Sequence, residues 1–358
     1  MRFVGQPFRA AEQDRRPKGL RHTIVAVAFI TMTTIALAQT PKALNVYVID
    51  VEGGQATLFV SPSGESMLVD AGWPGFDGRD ADRIAAAAKR AGIKQIDYLV
   101  VTHYHRDHVG GVPELVKRIP VRTFVDHGPS VETDAAATAL FNAYVDARKT
   151  GKHLQVKPGD TVPINGLDVR VVSAAGNVIS RAVAGSAPPN ALCTTFKPKD
   201  PDPTENARSV GVAITFGSFR MLDIGDLTWN KEKELVCPNN LLGTFDVYLT
   251  THHGTDSSGP PVILHAIKPR VAVMNNGAKK GGSKAAWQIV RDSPGLQDLW
   301  QVHHAVDGGD DHNSPEPLIA NLDESTAHGI VVSAQADGSF TVTNERTGQT
   351  RSYRAAGR

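Results

Sequence analysis

Residues 102–111 read Thr102-His103-Tyr104-His105-Arg106-Asp107-His108-Val109-Gly110-Gly111, or THYHRDHVGG, directly after the apolar run Ile96 to Val101. Three histidines and one aspartate fall between positions 103 and 108. Neutral imidazole and carboxylate are good ligands for zinc and similar divalent ions. In extended backbone, residues two apart face the same way, so His103 and His105 can grip one ion together. Asp107 and His108 lie where the chain turns into a helix, and they can serve a second ion beside the first. Gly110 and Gly111 suit the tight turn expected there. The competing reading is a polar surface loop, which does not account for four such residues behind an apolar strand.

Upstream, Leu44 to Val51, Gln55 to Val60 and Ser66 to Asp70 read as strands, with Gly53-Gly54 and Pro62-Ser63-Gly64 as turns. Asp80 to Ala91 has helical spacing and stops before Gly92. Downstream, Val112 to Arg118 looks helical, Val121 to Val125 is a strand, and Asp134 to Lys149 is an amphipathic helix. The second half repeats the mixture. Leu167 to Ser173, Ser209 to Phe216, Phe219 to Ile224, Phe245 to Thr250 and Val271 to Met274 are expected strands. Pro261 to Ile267 and Lys284 to Val290 are expected helices, and Ile330 to Ala334 with Ser339 to Asn344 form a hairpin. Strands first and helices interleaved afterwards, twice over, predict an α/β fold of two stacked sheets with helices outside. Residues 176–206, rich in Pro, Ala, Asn and Asp, read as a long loop.

The chain has 358 residues, 41% hydrophobic and 21% charged, which are ordinary values for a globular protein. Its net charge of +1 gives no global pull toward nucleic acid or anionic lipid. Residues 1–22 carry Arg2, Arg9, Arg15, Arg16, Lys18 and Arg21 against Glu12 and Asp14. Thr23 to Ala38 is uncharged and ends in Ala36-Leu37-Ala38. A basic segment, an apolar segment and an A-x-A site predict a secretory signal peptide over 1–38, cleaved after Ala38. The mature chain, 39–358, is then one large α/β domain, periplasmic or secreted, with no stable membrane insertion after cleavage. The alternative is an uncleaved N-terminal anchor. Cys193 and Cys237 do not form a C-x-x-C pair, which argues against a thiolate zinc site. A disulfide between them and two free thiols are equally open readings.

The stretch THYHRDHVGG resembles the signature of the metallo-β-lactamase superfamily. Other matches follow in order along the chain. Asp70 in LVDAG resembles the family aspartate that steadies a histidine ligand, and Asp226 in LDIGD resembles its metal-bridging aspartate. Thr251-His252-His253-Gly254 resembles its last histidine motif. The opening from Asp50 to Gly72, the stretch Asn206 to Ser209, and HHGTDSS at 252–258 look most like the extracytoplasmic hydrolase domain of DNA-uptake competence proteins. The resemblance spans residues 44–275. It implies an αβ/βα four-layer sandwich of two mixed sheets with outer helices. It also implies His103, His105, Asp107, His108, Asp226 and His252 as ligands of one or two Zn2+ ions, with Mn2+ as the alternative. His253 is either the ligand in place of His252 or a general acid beside it.

One departure stands out. The family usually has a further histidine ligand between its first motif and the bridging aspartate. Between His108 and Asp226 this chain has His127 and His153, both too early, and Asn206-Ala207-Arg208-Ser209 occupies the expected place. The His103 and His105 side is then a ligand short or completed by water. His127, His303 and His304 are candidates for the rim, and Asp310-Asp311-His312 reads as a solvated loop.

A divalent ion with an open coordination position lowers the pKa of its water from about 15.7 toward about 7. The expected reaction is attack of metal-bound hydroxide on a carbonyl or phosphoryl centre, with Asp107, Asp226 and His253 as catalytic groups. Asp226 bridges the ions, and Asp107 orients the nucleophile and moves its proton. The resemblance implies a phosphodiester or related phosphoester, either a small molecule or a nucleic-acid type. A lactone or β-lactam ring is the alternative substrate, and a non-catalytic exported metal- or ligand-binding protein is the alternative class. Arg106, Arg208, Lys279, Lys280 and Lys284 are candidate phosphate contacts. The glycine-rich stretch Asn276 to Ser283 is either a backbone anion seat or a flexible turn.

Overall fold

The computed structural model describes residues 43–183 and 185–356, all within one compact unit that spans Pro41–Arg358. The expected signal peptide lies outside the described residues. In chain order the first half holds β1 (Leu44–Val48), β2 (Thr57–Val60), β3 (Ser66–Val69), α1 (Arg79–Arg90), β4 (Ile96–Val100), α2 (Arg106–Val109), α3 (Val112–Leu115), β5 (Val121–Asp126), α4 (Ala135–Arg148) and β6 (Lys152–Gln155). The rest holds β7 (Asp168–Ala174), β8 (Asn177–Val178), β9 (Gly211–Phe216), β10 (Phe219–Asp223), α5 (Trp229–Glu234), β11 (Val247–Leu249), α6 (Pro261–Ile267), β12 (Val271–Met274), α7 (Lys284–Arg291), β13 (Asp298–His303), β14 (Ile319–Asn321), β15 (Ile330–Ala334), β16 (Phe340–Asn344) and β17 (Thr350–Tyr353).

Two mixed sheets result. One runs β17-β16-β15-β1-β2-β3-β4-β5-β6, and the other runs β14-β13-β12-β11-β10-β9-β7-β8. Each begins as an antiparallel meander and continues in parallel. Strands β3 to β6 are parallel neighbours in the first sheet, and β10 to β14 in the second.

Side-chain alternation along the strands divides the apolar residues among three cores. Leu44, Val46, Val69, Val100 and Val125 face Val212, Met221, Val247, Val273 and Trp300 between the sheets. Leu68, Leu99 and Phe124, on the opposite face of the first sheet, pack against Ile84, Leu115 and Tyr144 of its helices. Leu222, Tyr248 and Ala272 do the same with Val262, Leu264 and Val290 on the second. Helices, sheet, sheet, helices: the expected four-layer sandwich is the observed fold.

The differences from expectation are local. Strands β6 and β17 sit at the two edges of their sheet, and β6 shows only one half-buried residue. An edge strand pairs on one side, so its sequence need not carry an apolar pattern. The supposed loop 176–206 contains β8 and a short 3-10 turn, Ala191–Thr194, and runs into a second, Glu205–Arg208. Cys193 and Cys237 form a disulfide, with Cα atoms 5.7 Å apart. Among the described residues, no helix is long and apolar enough to cross a membrane.

Candidate metal centre

Parallel strands deliver their carboxyl ends to one edge of each sheet, and loops there gather side chains from distant parts of the chain. Asp70 follows β3, residues 102–108 follow β4, Asp226 follows β10, and His252 and His253 follow β11.

Asp70 is fully buried in a left-handed conformation, φ 60°. Its Oδ1 accepts from the Thr102 backbone N at 2.8 Å, and its Oδ2 accepts from Thr102 Oγ1 at 2.7 Å. The same Oδ2 lies 2.7 Å from His108 Nδ1. The ring of His108 therefore presents Nε2 to the centre. The cluster segment is clamped by backbone bonds as well: Ala71 N donates to His108 O at 2.8 Å, and Gln55 N to Asp107 O at 3.0 Å. Gly110 and Gly111 serve close approach, not an unusual turn. Their φ values are −64° and −78°, open to any residue. A Cβ on Gly110 would meet Pro74 Cδ at 2.2 Å, and one on Gly111 would meet Ala71 O at 2.0 Å.

Asp107, His108, Asp226 and His253 are buried, with one ligand atom from each all within 4.8 Å of one another. Asp107 Oδ2 lies 3.2 Å from His108 Nε2 and 3.1 Å from His253 Nε2. The two imidazole Nε2 atoms are 3.2 Å apart. Asp226 Oδ2 is 3.2 Å from His108 Nε2, and Asp226 Oδ1 is 3.4 Å from His253 Nε2. Four donors at zinc bond lengths of about 2.0–2.2 Å in a tetrahedron stand about 3.3–3.6 Å apart. The spacing and the two-imidazole, two-carboxylate chemistry fit a divalent ion. His103 Nε2 and Asp226 Oδ1 add to this fit, because both are buried with no hydrogen-bond partner, which a native interior rarely tolerates.

Electrostatics follow from this crowding. Burial alone would push the His108 imidazole down, but the carboxylates of Asp226, Asp107 and Asp70 outweigh it and hold the ring well above the usual histidine range. Burial would likewise raise Asp107 and Asp226. The facing histidines, with Lys280 at Asp107, keep both well below the usual carboxylate range. Burial and the neighbouring His108 push His103 well below its usual range.

The remaining expected residues spread around this cluster. His103 Nε2 stands 3.9 Å and His252 Nε2 3.3 Å from Asp226 Oδ2. His252 Nδ1 is tied to Ser257 Oγ at 2.9 Å. His105 turns its Nε2 to Glu132 Oε1 at 2.9 Å and borders a cavity of about 440 Å³ with Tyr104, Arg106 and Leu140. His127, a candidate for the rim by sequence, is buried 2.9 Å from Glu205 Oε2. His303 is fully buried at 2.8 Å from Asp50 Oδ1, a pair that Arg83 also joins. His304 is half-buried, and Asp310 and Asp311 are exposed.

Of the five candidate phosphate contacts, Lys280 reaches the cluster, with its Nζ on Asp107 Oδ2. Lys279 pairs with Glu324 at 2.6 Å, Arg208 donates to Ala175 O at 3.2 Å, and Arg106 and Lys284 are exposed.

Sequence reading missed Glu205. Its Oε1 accepts from Val131 N at 2.7 Å and Ser130 Oγ at 3.1 Å, which pins residues 127–132 beside the site. Burial works to raise this carboxyl, but the His127 hydrogen bond and charge bring it below the usual range. An acidic residue in a polar stretch carries no local signal for such a role. Asn206, the next residue, keeps a buried Oδ1 without a partner.

Residues 49–180 match the family described as Metallo-beta-lactamase superfamily. The chain is 27% identical over 190 residues to ComE operon protein 3 of Bacillus subtilis (strain 168), covering 52% of this chain and 20% of that protein. It is 37% identical over 103 residues to a hydroxyacylglutathione hydrolase of Rhodopseudomonas palustris (strain BisB5), covering 29% of this chain and 34% of that one. The chain thus spans 20% to 34% of the length of these curated relatives. Among solved structures, the metallo-beta-lactamase fold protein YhfI from Bacillus subtilis aligns with a TM-score of 0.44 at 11% identity, covering 72% of this chain and 96% of that one.

Proposed function

We propose that this chain is a metal-dependent hydrolase that cleaves a phosphodiester or related phosphoester outside the cytoplasm, a reading supported by the match of residues 49–180 to the metallo-β-lactamase superfamily and by the His/Asp cluster. The observation that carries the reading is the buried set Asp107, His108, Asp226 and His253, spaced as ligands of a single divalent ion. The choice of a phosphoester is supported by the likeness of residues 50–72, 206–209 and 252–258 to the hydrolase domain of DNA-uptake competence proteins. The match to ComE operon protein 3 over 190 residues supports the same choice. Export is supported by the basic, then apolar, then A-x-A order of residues 1–38.

A divalent ion, zinc by the nature of the donors, would supply Lewis acidity and an acidified water at this site. The chain's own residues do the rest. Asp70 fixes the orientation of His108 through Nδ1, and Ser257 does the same for His252. Asp226, central to His103, His108, His252 and His253, joins the two histidine groups. Asp107 stands at the solvent side of the set, where a carboxylate can take and return a proton.

The test is metal analysis of the purified protein. It is followed by assays on bis-p-nitrophenyl phosphate, a lactone and a chromogenic β-lactam, with His108→Ala as control. Phosphodiester turnover that disappears on chelation and in the variant supports the proposal. Ring opening alone replaces the phosphoester with a lactone or β-lactam. Failure to bind zinc or manganese removes the metal-centre argument. N-terminal sequencing of the exported product, expected to begin at Gln39, checks the cleavage site.

A further inference from the structure

Lys280 is the one of five candidate cations that enters the cluster, and its surroundings are built. Its Nζ meets Asp107 Oδ2 and lies 4.9 Å from the centre of the Trp73 ring. The Lys280 side chain is 33% exposed and that of Asp107 is 9% exposed, so the ammonium caps the carboxylate from the solvent side. Its backbone is fixed relative to the ligands. Gly277 N donates to Lys280 O at 2.8 Å, and Gly282 N donates to His253 O at 3.0 Å. A Cβ on Gly281 would stand 2.1 Å from His253 O, and one on Gly53 would stand 3.0 Å from Lys280 Cβ. The glycine-rich stretch is therefore a mount that locks Lys280 to the His253 segment. Lys279, one residue earlier, points out to Glu324 and is 72% exposed.

An ion pair kept for stability alone does not fit here. Asp107 already faces the Nε2 atoms of His108 and His253. A carboxylate that serves as a metal ligand shares its charge with the ion, and a lysine resting on it then loses most of its counter-charge. A one-third-exposed ammonium beside an aromatic face, next to the candidate metal centre, suits an anionic oxygen.

We propose that Lys280 binds the anionic, phosphoryl-type oxygen of the substrate at the mouth of the metal centre, and competes with the metal for Asp107 when the centre is empty. The proposal rests on the phosphoester reading above, and it has two signatures that a merely structural lysine would not give together.

The experiment compares wild type, Lys280→Met and Lys280→Arg. Binding of inorganic phosphate to the zinc-loaded proteins is measured by calorimetry, and zinc affinity of the metal-free proteins by chelator competition. Loss of a charge-assisted hydrogen bond should weaken phosphate binding by on the order of tenfold in Lys280→Met, with Lys280→Arg recovering most of it. Zinc should bind metal-free Lys280→Met several-fold more tightly than wild type, because Asp107 is no longer capped. Unchanged phosphate binding in Lys280→Met overturns the proposal. So does a joint fall of phosphate and zinc affinity, which marks a structural role. If wild type binds phosphate through Lys280 yet turns over no phosphodiester, the seat stands and the phosphoester reading fails. If it turns over phosphodiesters while Lys280→Met binds phosphate normally, the reading stands and the seat fails.

Discussion

His108 Nδ1 lies 2.7 Å from Asp70 Oδ2, and both side chains are fully buried. The carboxylate can only accept, so it fixes which ring nitrogen carries the proton and turns Nε2 toward Asp107, Asp226 and His253. Asp70→Asn should reduce metal affinity about 10- to 100-fold, as such supporting contacts do. The φ of 60° at this position is one that asparagine tolerates, so the fold should persist. Chelator competition measures the affinity, and circular dichroism checks the fold. Unchanged affinity would remove Asp70 from the centre.

His253 and His252 should differ in effect. His253 Nε2 is 3.1 Å from Asp107 Oδ2 and fully buried, whereas His252 Nε2 lies 3.3 Å from Asp226 Oδ2 and its side chain is 17% exposed. His253→Ala is expected to cost on the order of 100-fold in metal affinity, and His252→Ala about tenfold. Metal content after dialysis against a graded chelator series would reverse the ligand assignment if the order came out the other way.

Glu232 makes stability depend on pH. Burial pushes its carboxyl from 4.5 up to about 8, although Gly259 N donates to Oε2 at 2.6 Å. The folded state holds this proton more tightly than the unfolded state does. Its stabilising effect is full below about 4.5 and is lost as pH rises to about 8. Wild-type stability should therefore fall relative to Glu232→Gln between pH 5 and pH 9, by roughly a few kcal/mol, and its Tm should fall with it. Parallel melting curves across that range would show that Glu232 does not titrate.

The Cys193–Cys237 disulfide closes a separation of 44 residues. On the chain-entropy account, opening it should cost up to about 4 kcal/mol. The double variant Cys193→Ser/Cys237→Ser should unfold at lower denaturant concentration than wild type, and wild type in reductant should approach it. Coincident unfolding curves would show that the bond contributes little.

Much of the centre was legible in the linear chain because its ligands cluster where covalent continuity holds them. His103, Asp107 and His108 are brought together by strand-to-helix geometry over a few residues, and strand endings place Asp70 and Asp226. The alternation of apolar residues likewise carried the two sheets and their outer helices, since each face must find a core.

Tertiary packing decided the rest. His252 and His253 are consecutive and both left-handed, φ 54° and 56°, so no periodicity could say which one faces the ligands. Gly225 O, which takes His252 N at 3.0 Å, and Asn275, which lies 3.3 Å from His253 Nδ1, set that turn from other strands. His105 looked equivalent to His103 by spacing, yet Glu132 draws it aside. Glu205 and Lys280 reach the site from segments far along the chain. Their roles depend on burial and on partners supplied only by the fold, because a charge takes its meaning from the groups packed around it.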